Sequence, residues 1–172
     1  ARSCAGLSIP LVSFPKSSHM VQSARVQYPA QHFSLPDASI SLWPDWLAAD
    51  QADILLQQLQ TELRWSQDTI QMFGKPVKIP RTQVWMGDPH CVYRYSGTRF
   101  IPSPWHPSVK HMAQQLGQFL ARPFNCVLLN FYVNGQQHMG WHADNEPELG
   151  HDPPIASVSL GASRRFELKH RQ

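Results

Sequence analysis

The sequence lacks any apolar run long enough to cross a membrane, and it has only three cysteines in 172 residues. A membrane-spanning helix needs about 20 consecutive apolar residues, so we expect no membrane partner. The cysteines, Cys4, Cys91 and Cys126, are widely spaced and form no CxxC pair. Disulfide frameworks use even numbers of cysteines in small secreted domains. The sequence therefore predicts reduced thiols in an intracellular protein, in the cytoplasm of a bacterium or the nucleus of a eukaryote.

Basic residues are absent from one part of the chain. Residues 123–163 carry four acidic side chains and no lysine or arginine, a formal charge of −4. Residues 64–122 carry eight basic and two acidic side chains, and residues 164–172 carry four basic and one acidic. An acidic segment between basic ones fits a polyanion-binding surface around an acidic pocket, and it fits scattered solvated charge equally well.

The length of 172 residues suits a single domain. Residues 1–40 are rich in Ser, Pro and Gln without periodicity, so we expect a poorly ordered leader before a domain at 41–172. Asp50 predicts the start of a helix with an apolar face of Ile54, Leu55, Leu59 and Leu63. A second helix is predicted from Pro107, with an apolar stripe of Val109, Met112, Ala113, Leu116, Phe119 and Leu120.

Later segments have strand-like composition. MFGKPVKIPR at 72–81 predicts a turn between two strands, and four further short runs are rich in β-forming residues: NCVLLNFYV, QQHMGWH, IASVSLG and RRFELKH. Helices followed by antiparallel strands predict an α+β chain whose core is a sandwich or a jelly roll.

One short motif suggests metal chemistry. Alternate residues of a strand share a face, so His142 and Asp144 would present an imidazole and a carboxylate together. With a second, distant imidazole, such a pair holds non-haem Fe(II) and leaves coordination positions open. A His-X-Asp pair also arises often by chance in polar turns. A helical zinc site formed by His138 and His142 is disfavoured, because Met139 stands where a metalloprotease has its glutamate and Gly140 disfavours a helix.

A wider set of motifs resembles a known family. Asn130, Tyr132, Gly135, His142 and Asp144 resemble the N-x-Y-x-x-G…H-x-D signature of the AlkB family of Fe(II)/2-oxoglutarate dioxygenases. MFGKPVKIPR, VYRYSG, PSPWHP and PIASVSLGASRRFELKH resemble, in order, motifs of the members that repair alkylated double-stranded DNA. The resemblance implies a double-stranded β-helix, or jelly roll, preceded by helices.

The resemblance also implies roles for individual residues. His142 and Asp144 would be catalytic iron ligands, and Asn130 and Tyr132 would bind 2-oxoglutarate. Phe73, beside Gly74, would enter the duplex as an apolar wedge. The other implied DNA contacts are phosphates for Lys75 and Arg81, the flipped base for Tyr93 and Tyr95, and a base edge for Asn145 and Glu146. Arg164, Arg165, Lys169 and Arg171 would contact the DNA backbone or form a solvated basic strand.

The activity implied is oxidative demethylation of 1-methyladenine or 3-methylcytosine in DNA, in which 2-oxoglutarate and molecular oxygen are consumed and formaldehyde is released. The partner would be DNA with alkylated bases, bound by a monomer. Two alternatives stay open: a non-catalytic nucleic-acid-binding module, and a relative that acts on RNA or protein.

The resemblance also sets expectations beyond these motifs. The third iron ligand, a histidine, and an arginine for 2-oxoglutarate are expected beyond residue 172, so the C-terminal half of the jelly roll is expected to be missing. The turn after Tyr132 is a further test of geometry. A regular two-residue turn at Asn134-Gly135 would put His142 on the face opposite Asn130 and Tyr132. We therefore predict an odd-length loop or a bulge, such as a type I turn with Gly135 left-handed.

Overall fold

A computed structural model describes residues 6–12, 30–72, 74–95, 98–143 and 154–170, and for 6–12, 70–72, 93–95 and 98 it describes the backbone alone. The elements in chain order are β1 (Gly6–Val12), β2 (Gln31–Leu35), β3 (Ala38–Leu42), α1 (Ala49–Glu62), β4 (Thr69–Met72), β5 (Lys75–Lys78), β6 (Thr82–Gly87), β7 (Tyr93–Tyr95), β8 (Thr98–Phe100), α2 (Pro107–Phe119), β9 (Cys126–Tyr132) and β10 (Ile155–Gly161).

Four of these strands form one antiparallel sheet in the order β10-β1-β9-β6. The other strands form two-stranded hairpins, β2–β3, β4–β5 and β7–β8. This mixture of two helices with antiparallel strands is the predicted α+β class. The hairpin predicted at 72–81 is confirmed as β4–β5. The order along the chain differs from the prediction in that strands β1, β2 and β3 precede α1.

Both helices pack on the same face of the sheet. In β6 and β9 alternate side chains face the helices, which is why each strand contributes every second residue to the core. The buried cluster consists of Leu59, Val84, Met86, Val109, Met112, Ala113, Leu116, Val127, Leu129, Ala156, Val158 and Leu160. The opposite face of β6 and β9 is thereby left for other groups.

Helix α2 confirms its predicted pattern and α1 departs from its own in two details. Pro107 lies in the first turn of α2, as expected. Helix α1 begins two residues earlier than predicted, with Ala48 as N-cap and no side-chain cap, so Asp50 lies in the first turn instead of capping it. Ile54 was expected on the buried face, but 66% of it is exposed. Neither described helix has an apolar stretch long enough to cross a membrane.

Strands β9 and β10 confirm two of the four predicted C-terminal strands, and the other two predictions are wrong. Residues 133–143 and 163–170 contain no strand. Gly161, with φ of 81°, ends β10 by turning the chain. Side-chain hydrogen bonds of Asn134 and Gln137 shape the first segment. Arg164 of the second segment binds carbonyl oxygens of the first. These contacts stand where strand pairing was predicted.

The expected leader contains a strand of the sheet. Within residues 1–40, β1 lies between β9 and β10, pairing Ser8 with both Asn130 and Ser159. Strand β2 lies in the same segment and pairs with β3. The strand GLSIPLV includes Pro10, and a proline argues against a strand in the interior of a sheet, so the sequence did not predict this element.

Candidate cosubstrate and metal site

The candidate site begins on the face of β9 that points away from the helices. Asn130 pairs with Gln83 of β6, and Leu129 pairs with Val84 on the helix side. Because side chains alternate along a strand, Asn130 and Tyr132 share the face opposite the hydrophobic core. The structure therefore brings the two predicted cosubstrate residues together.

Tyr132 is held by two arginines. Its hydroxyl oxygen accepts a hydrogen bond from Nη1 of Arg81 at 3.2 Å, and the guanidinium carbon of Arg164 lies 4.2 Å from the centroid of its ring. Only 9% of Tyr132 is exposed. Since the hydroxyl oxygen accepts from Arg81, its own hydrogen is available to an acceptor such as a carboxylate.

Two polar atoms on this side of the molecule are buried without a partner: Oδ1 of Asn130 and Nε of Arg81. Buried polar groups are nearly always hydrogen-bonded, so an exception needs a physical explanation. The amide of Asn130 can present either its oxygen or its two N–H donors after a half turn. An anionic ligand with several oxygens would satisfy both residues, and 2-oxoglutarate, a dicarboxylate, has this chemistry.

A neighbouring pair of side chains supports the same face. Nε2 of Gln83 donates to Oδ2 of Asp68 at 2.6 Å. Its Oε1 accepts from Nη2 of Arg81 at 3.5 Å. Gln83 is 6% exposed. This pair was not predicted, although a glutamine within the apolar run TQVWMG is a polar residue placed where burial is expected.

The segment after Tyr132 is a compact turn closed by side chains. The Oδ1 atom of Asn134 accepts from the backbone N–H groups of Gln136 and Gln137 at 3.0 and 3.2 Å. The backbone N–H of Val133 donates to Oε1 of Gln137 at 2.7 Å. The regular two-residue hairpin is thus absent, and the predicted left-handed Gly135 is wrong, since its φ is not positive.

His142 lies at the exposed end of this segment, with Nδ1 2.8 Å from the carbonyl oxygen of Gly140. A carbonyl oxygen only accepts, so Nδ1 carries the hydrogen and Nε2 presents the lone pair that a metal ion requires. The tautomer therefore fits an iron ligand. Asp144 lies outside the described residues, and within them no three His, Cys, Asp or Glu side chains form a metal-binding group.

Four of the predicted DNA-contact residues lie on two hairpins. Gly74 has φ of 75° at the turn between β4 and β5, and Lys75 is exposed beside it. Phe73, Asn145 and Glu146 lie outside the described residues. Tyr93 and Tyr95 form the ends of β7, opposite Phe100 and Thr98 of β8. Arg81 has the intramolecular partners described above, and its contact with phosphates stays a prediction.

A pair of cysteines lies behind Trp85, on the neighbouring part of the sheet. Cys91 and Cys126 are both free and fully buried. Burial raises the pKa of the Cys126 thiol far above its usual range, and the adjacent Cys91 thiol raises it further. Cys126 is therefore a neutral, unreactive thiol. That these thiols are reduced in the cell stays a prediction.

Comparisons with known proteins point to one superfamily. The family model of the 2OG-Fe(II) oxygenase superfamily matches residues 39–172. DNA oxidative demethylase ALKBH2 of Bos taurus is 38% identical over 124 residues, which cover 70% of this chain and 45% of that protein. The Homo sapiens ALKBH2 protein is 37% identical, with 70% and 48% covered.

A second group of relatives matches as well. The alpha-ketoglutarate-dependent dioxygenase alkB homolog 3 of Homo sapiens is 34% identical over 133 residues, covering 77% of this chain and 46% of that protein. The chain spans about half the length of the curated relatives it matches.

Proposed function

We propose that the protein is an Fe(II)/2-oxoglutarate-dependent dioxygenase. The chain belongs to the 2OG-Fe(II) oxygenase superfamily and, within it, to the AlkB family. Its substrate would be DNA that carries N-methylated bases such as 1-methyladenine or 3-methylcytosine. The superfamily implies a jelly-roll fold, and the four-stranded antiparallel sheet is compatible with part of one.

The observation that carries the proposal is the unsatisfied polar face beside Tyr132. A buried amide oxygen on Asn130 and a buried Nε on Arg81 lack partners, and the Tyr132 hydroxyl has a hydrogen to donate. Leaving such groups unpaired costs about 1–3 kcal/mol each. A bound dicarboxylate would accept from Nε of Arg81, from the Tyr132 hydroxyl and, after a half turn of the amide, from the N–H groups of Asn130, so the face favours an anionic cosubstrate.

The chain's own residues would bind and orient the reactants. His142, with Nε2 as the metal-binding nitrogen, and Asp144 would hold iron, while Asn130 and Tyr132 would orient 2-oxoglutarate. When bound, iron and 2-oxoglutarate supply the oxidation, in which oxygen is consumed, succinate and carbon dioxide form, and the N-methyl group leaves as formaldehyde. The short path from Tyr132 to His142 would keep the two binding sites adjacent.

DNA would approach from the β4–β5 hairpin. Lys75 and Lys78 are both exposed on β5, where they would contact phosphates and release counterions on binding. Phe73 would replace the stacking of the base that leaves the duplex, and Tyr93, Tyr95, Asn145 and Glu146 would contact that base. A damaged base whose pairing is already broken costs less to flip.

Formaldehyde release from methylated duplex DNA, measured for the full-length protein with and without 2-oxoglutarate, tests the proposal. We expect release only with the cosubstrate, and loss of release in His142→Ala and Asp144→Ala. His138→Ala is the matched control, because His138 is an exposed histidine of the same segment outside the iron-binding pair. Release unchanged by both His142→Ala and Asp144→Ala would remove the iron assignment.

Mn(II) affinity provides a second readout that does not depend on turnover. It should fall in His142→Ala and Asp144→Ala and stay the same in His138→Ala. The non-catalytic alternative is not favoured, since the matched family consists of oxygenases. We further propose a monomer inside the cell, cytoplasmic in a bacterium or nuclear in a eukaryote.

A further inference from the structure

Arg164 joins three parts of the candidate site with one side chain. It follows the end of β10 and is half-buried. Its guanidinium carbon lies 4.2 Å from the Tyr132 ring centroid, Nη1 donates to the carbonyl oxygen of Asn134 at 3.1 Å, and Nη2 donates to the carbonyl oxygen of Gln137. The same planar group therefore contacts the cosubstrate strand and both ends of the turn after it.

The other contacts within this turn are local. Asn134 and Gln137 close it by bonds to residues no more than four positions away. Such bonds shape a turn but leave its orientation against the sheet undetermined. Arg164 comes from 30 residues after Asn134, so within the described part of the chain its two bonds tie the turn to a distant segment.

We propose that Arg164 is a positioning residue, which fixes the turn between the cosubstrate strand and the metal-binding segment, and is not a contact to the DNA backbone. The turn begins directly after Tyr132 and leads to His142, so its orientation sets how far the two binding sites lie from each other. The effect on the cosubstrate rests on the proposed function. The effect on the turn does not.

The contacts require an arginine in particular. A guanidinium is planar, so it can stack on an aromatic ring while its N–H groups, which lie in the guanidinium plane, point toward two carbonyl oxygens. A lysine ammonium is a strongly hydrated point charge and cannot stack. Lysine keeps the charge that a phosphate would need, so Arg164→Lys separates the two roles.

Arg165 provides the matched control. It is the adjacent residue of the same type, its side chain is 85% exposed, and it pairs with Glu167 outside the turn. Arg165→Ala removes one positive charge from the same segment without touching the turn carbonyls. Any general effect of lost charge would therefore appear in both arginine variants.

Hydrogen exchange of the full-length protein tests the structural role. We expect Arg164→Lys and Arg164→Ala to speed exchange of the amides of Gln136 and Gln137 by about tenfold or more, the loss of one charge-assisted hydrogen bond. Exchange in Arg165→Ala should match the wild type. Unchanged exchange of these amides in Arg164→Lys would overturn the proposal, whatever the enzyme's activity.

Two binding measurements separate this outcome from a failure of the proposed function. Calorimetry of 2-oxoglutarate with the Mn(II)-loaded protein should show weaker binding in Arg164→Lys and wild-type binding in Arg165→Ala. The salt dependence of binding to methylated duplex DNA should keep its slope in Arg164→Ala, because a lost phosphate contact lowers the slope. If the wild type fails to bind 2-oxoglutarate, the proposed function fails while the exchange result still decides the role of Arg164. A lower slope with unchanged exchange would assign Arg164 to DNA.

Discussion

Replacing Tyr132 with phenylalanine removes one hydroxyl group and leaves the ring in place. The ring contact with Arg164 at 4.2 Å is therefore retained. The bond that is lost is the one from Nη1 of Arg81 to the hydroxyl oxygen at 3.2 Å. The variant thus isolates the polar function of Tyr132 from its packing.

Two free-energy changes follow from this single deletion. In the free protein, Arg81 already has a buried Nε without a partner. In the variant its Nη1 also loses the hydrogen bond to the hydroxyl oxygen. A hydrogen bond to a charged group contributes about 1.5–3 kcal/mol, so we expect the free energy of unfolding to fall by about that amount. In the complex, the hydroxyl would also lose its bond to a cosubstrate carboxylate, which corresponds to about tenfold to hundredfold weaker binding.

Calorimetric titration of 2-oxoglutarate into the Mn(II)-loaded full-length protein measures the second change, and urea denaturation measures the first. Thr82→Val is the matched control, since it also deletes one hydroxyl from the same end of the sheet. Thr82 pairs with Phe131 on the helix side, so its hydroxyl cannot reach the cosubstrate face. If Tyr132→Phe lowers stability but binds 2-oxoglutarate as tightly as wild type, Tyr132 is a structural partner of Arg81 and has no role in cosubstrate binding.

Three further predictions concern stability. The Oγ1 atom of Thr82 is buried without a partner, so Thr82→Val should raise the free energy of unfolding in urea by about 1 kcal/mol. Leu59 is fully buried and Ile54 is 66% exposed on the same helix; Leu59→Ala should cost about 2–5 kcal/mol and Ile54→Ala less than about 0.5 kcal/mol, and similar losses would contradict the core assignment. Because burial raises the pKa of Cys126, the unfolded thiol ionises first as pH rises, so stability is full below about pH 8.5 and falls above it by up to about 1.4 kcal/mol per pH unit. Urea denaturation between pH 8 and 10 under reducing conditions should show a shallower loss in Cys126→Ala, and equal slopes in the two proteins would refute this.

Periodicity predicted the elements whose contacts are regular. Helix α2 has a continuous apolar stripe, and the structure buries Val109, Met112, Ala113 and Leu116 as that stripe requires. Strand β10 alternates apolar and small polar residues, and its burial alternates in step. In both cases one repeating face meets one hydrophobic core, so a local pattern is sufficient information.

The sequence was a poor guide where long-range contacts replace a ladder. RRFELKH has strand-like composition, but Arg164 binds carbonyl oxygens of the turn at 134–137, and residues 163–170 form no strand. The Arg164 guanidinium thus finds its partners in a part of the chain about 30 residues away. Composition over seven residues contains no information about such a partner.

The candidate site divides in the same way. The one-face placement of Asn130 and Tyr132 follows from strand alternation, and the structure has it. The contacts of Arg81 could not be read from the sequence, because they depend on where the end of β6 lies relative to β9. A basic residue after the hairpin KPVKIP suggests phosphate contact, and nothing in that segment indicates the bond to the Tyr132 hydroxyl that the structure shows.

The contacts of Tyr132 suggest why the turn after it need not follow hairpin rules. An Asn-Gly pair usually sets strand register through its own backbone preference. Here the Asn134 side chain binds the following amides, and Arg164 holds the turn carbonyls against the Tyr132 ring. In a regular returning strand, the number of residues after the turn would decide which face of the sheet His142 lies on. A turn held by side chains is not bound by this alternation. The Arg164 contact, and not the residue count, therefore sets the path of the chain to His142.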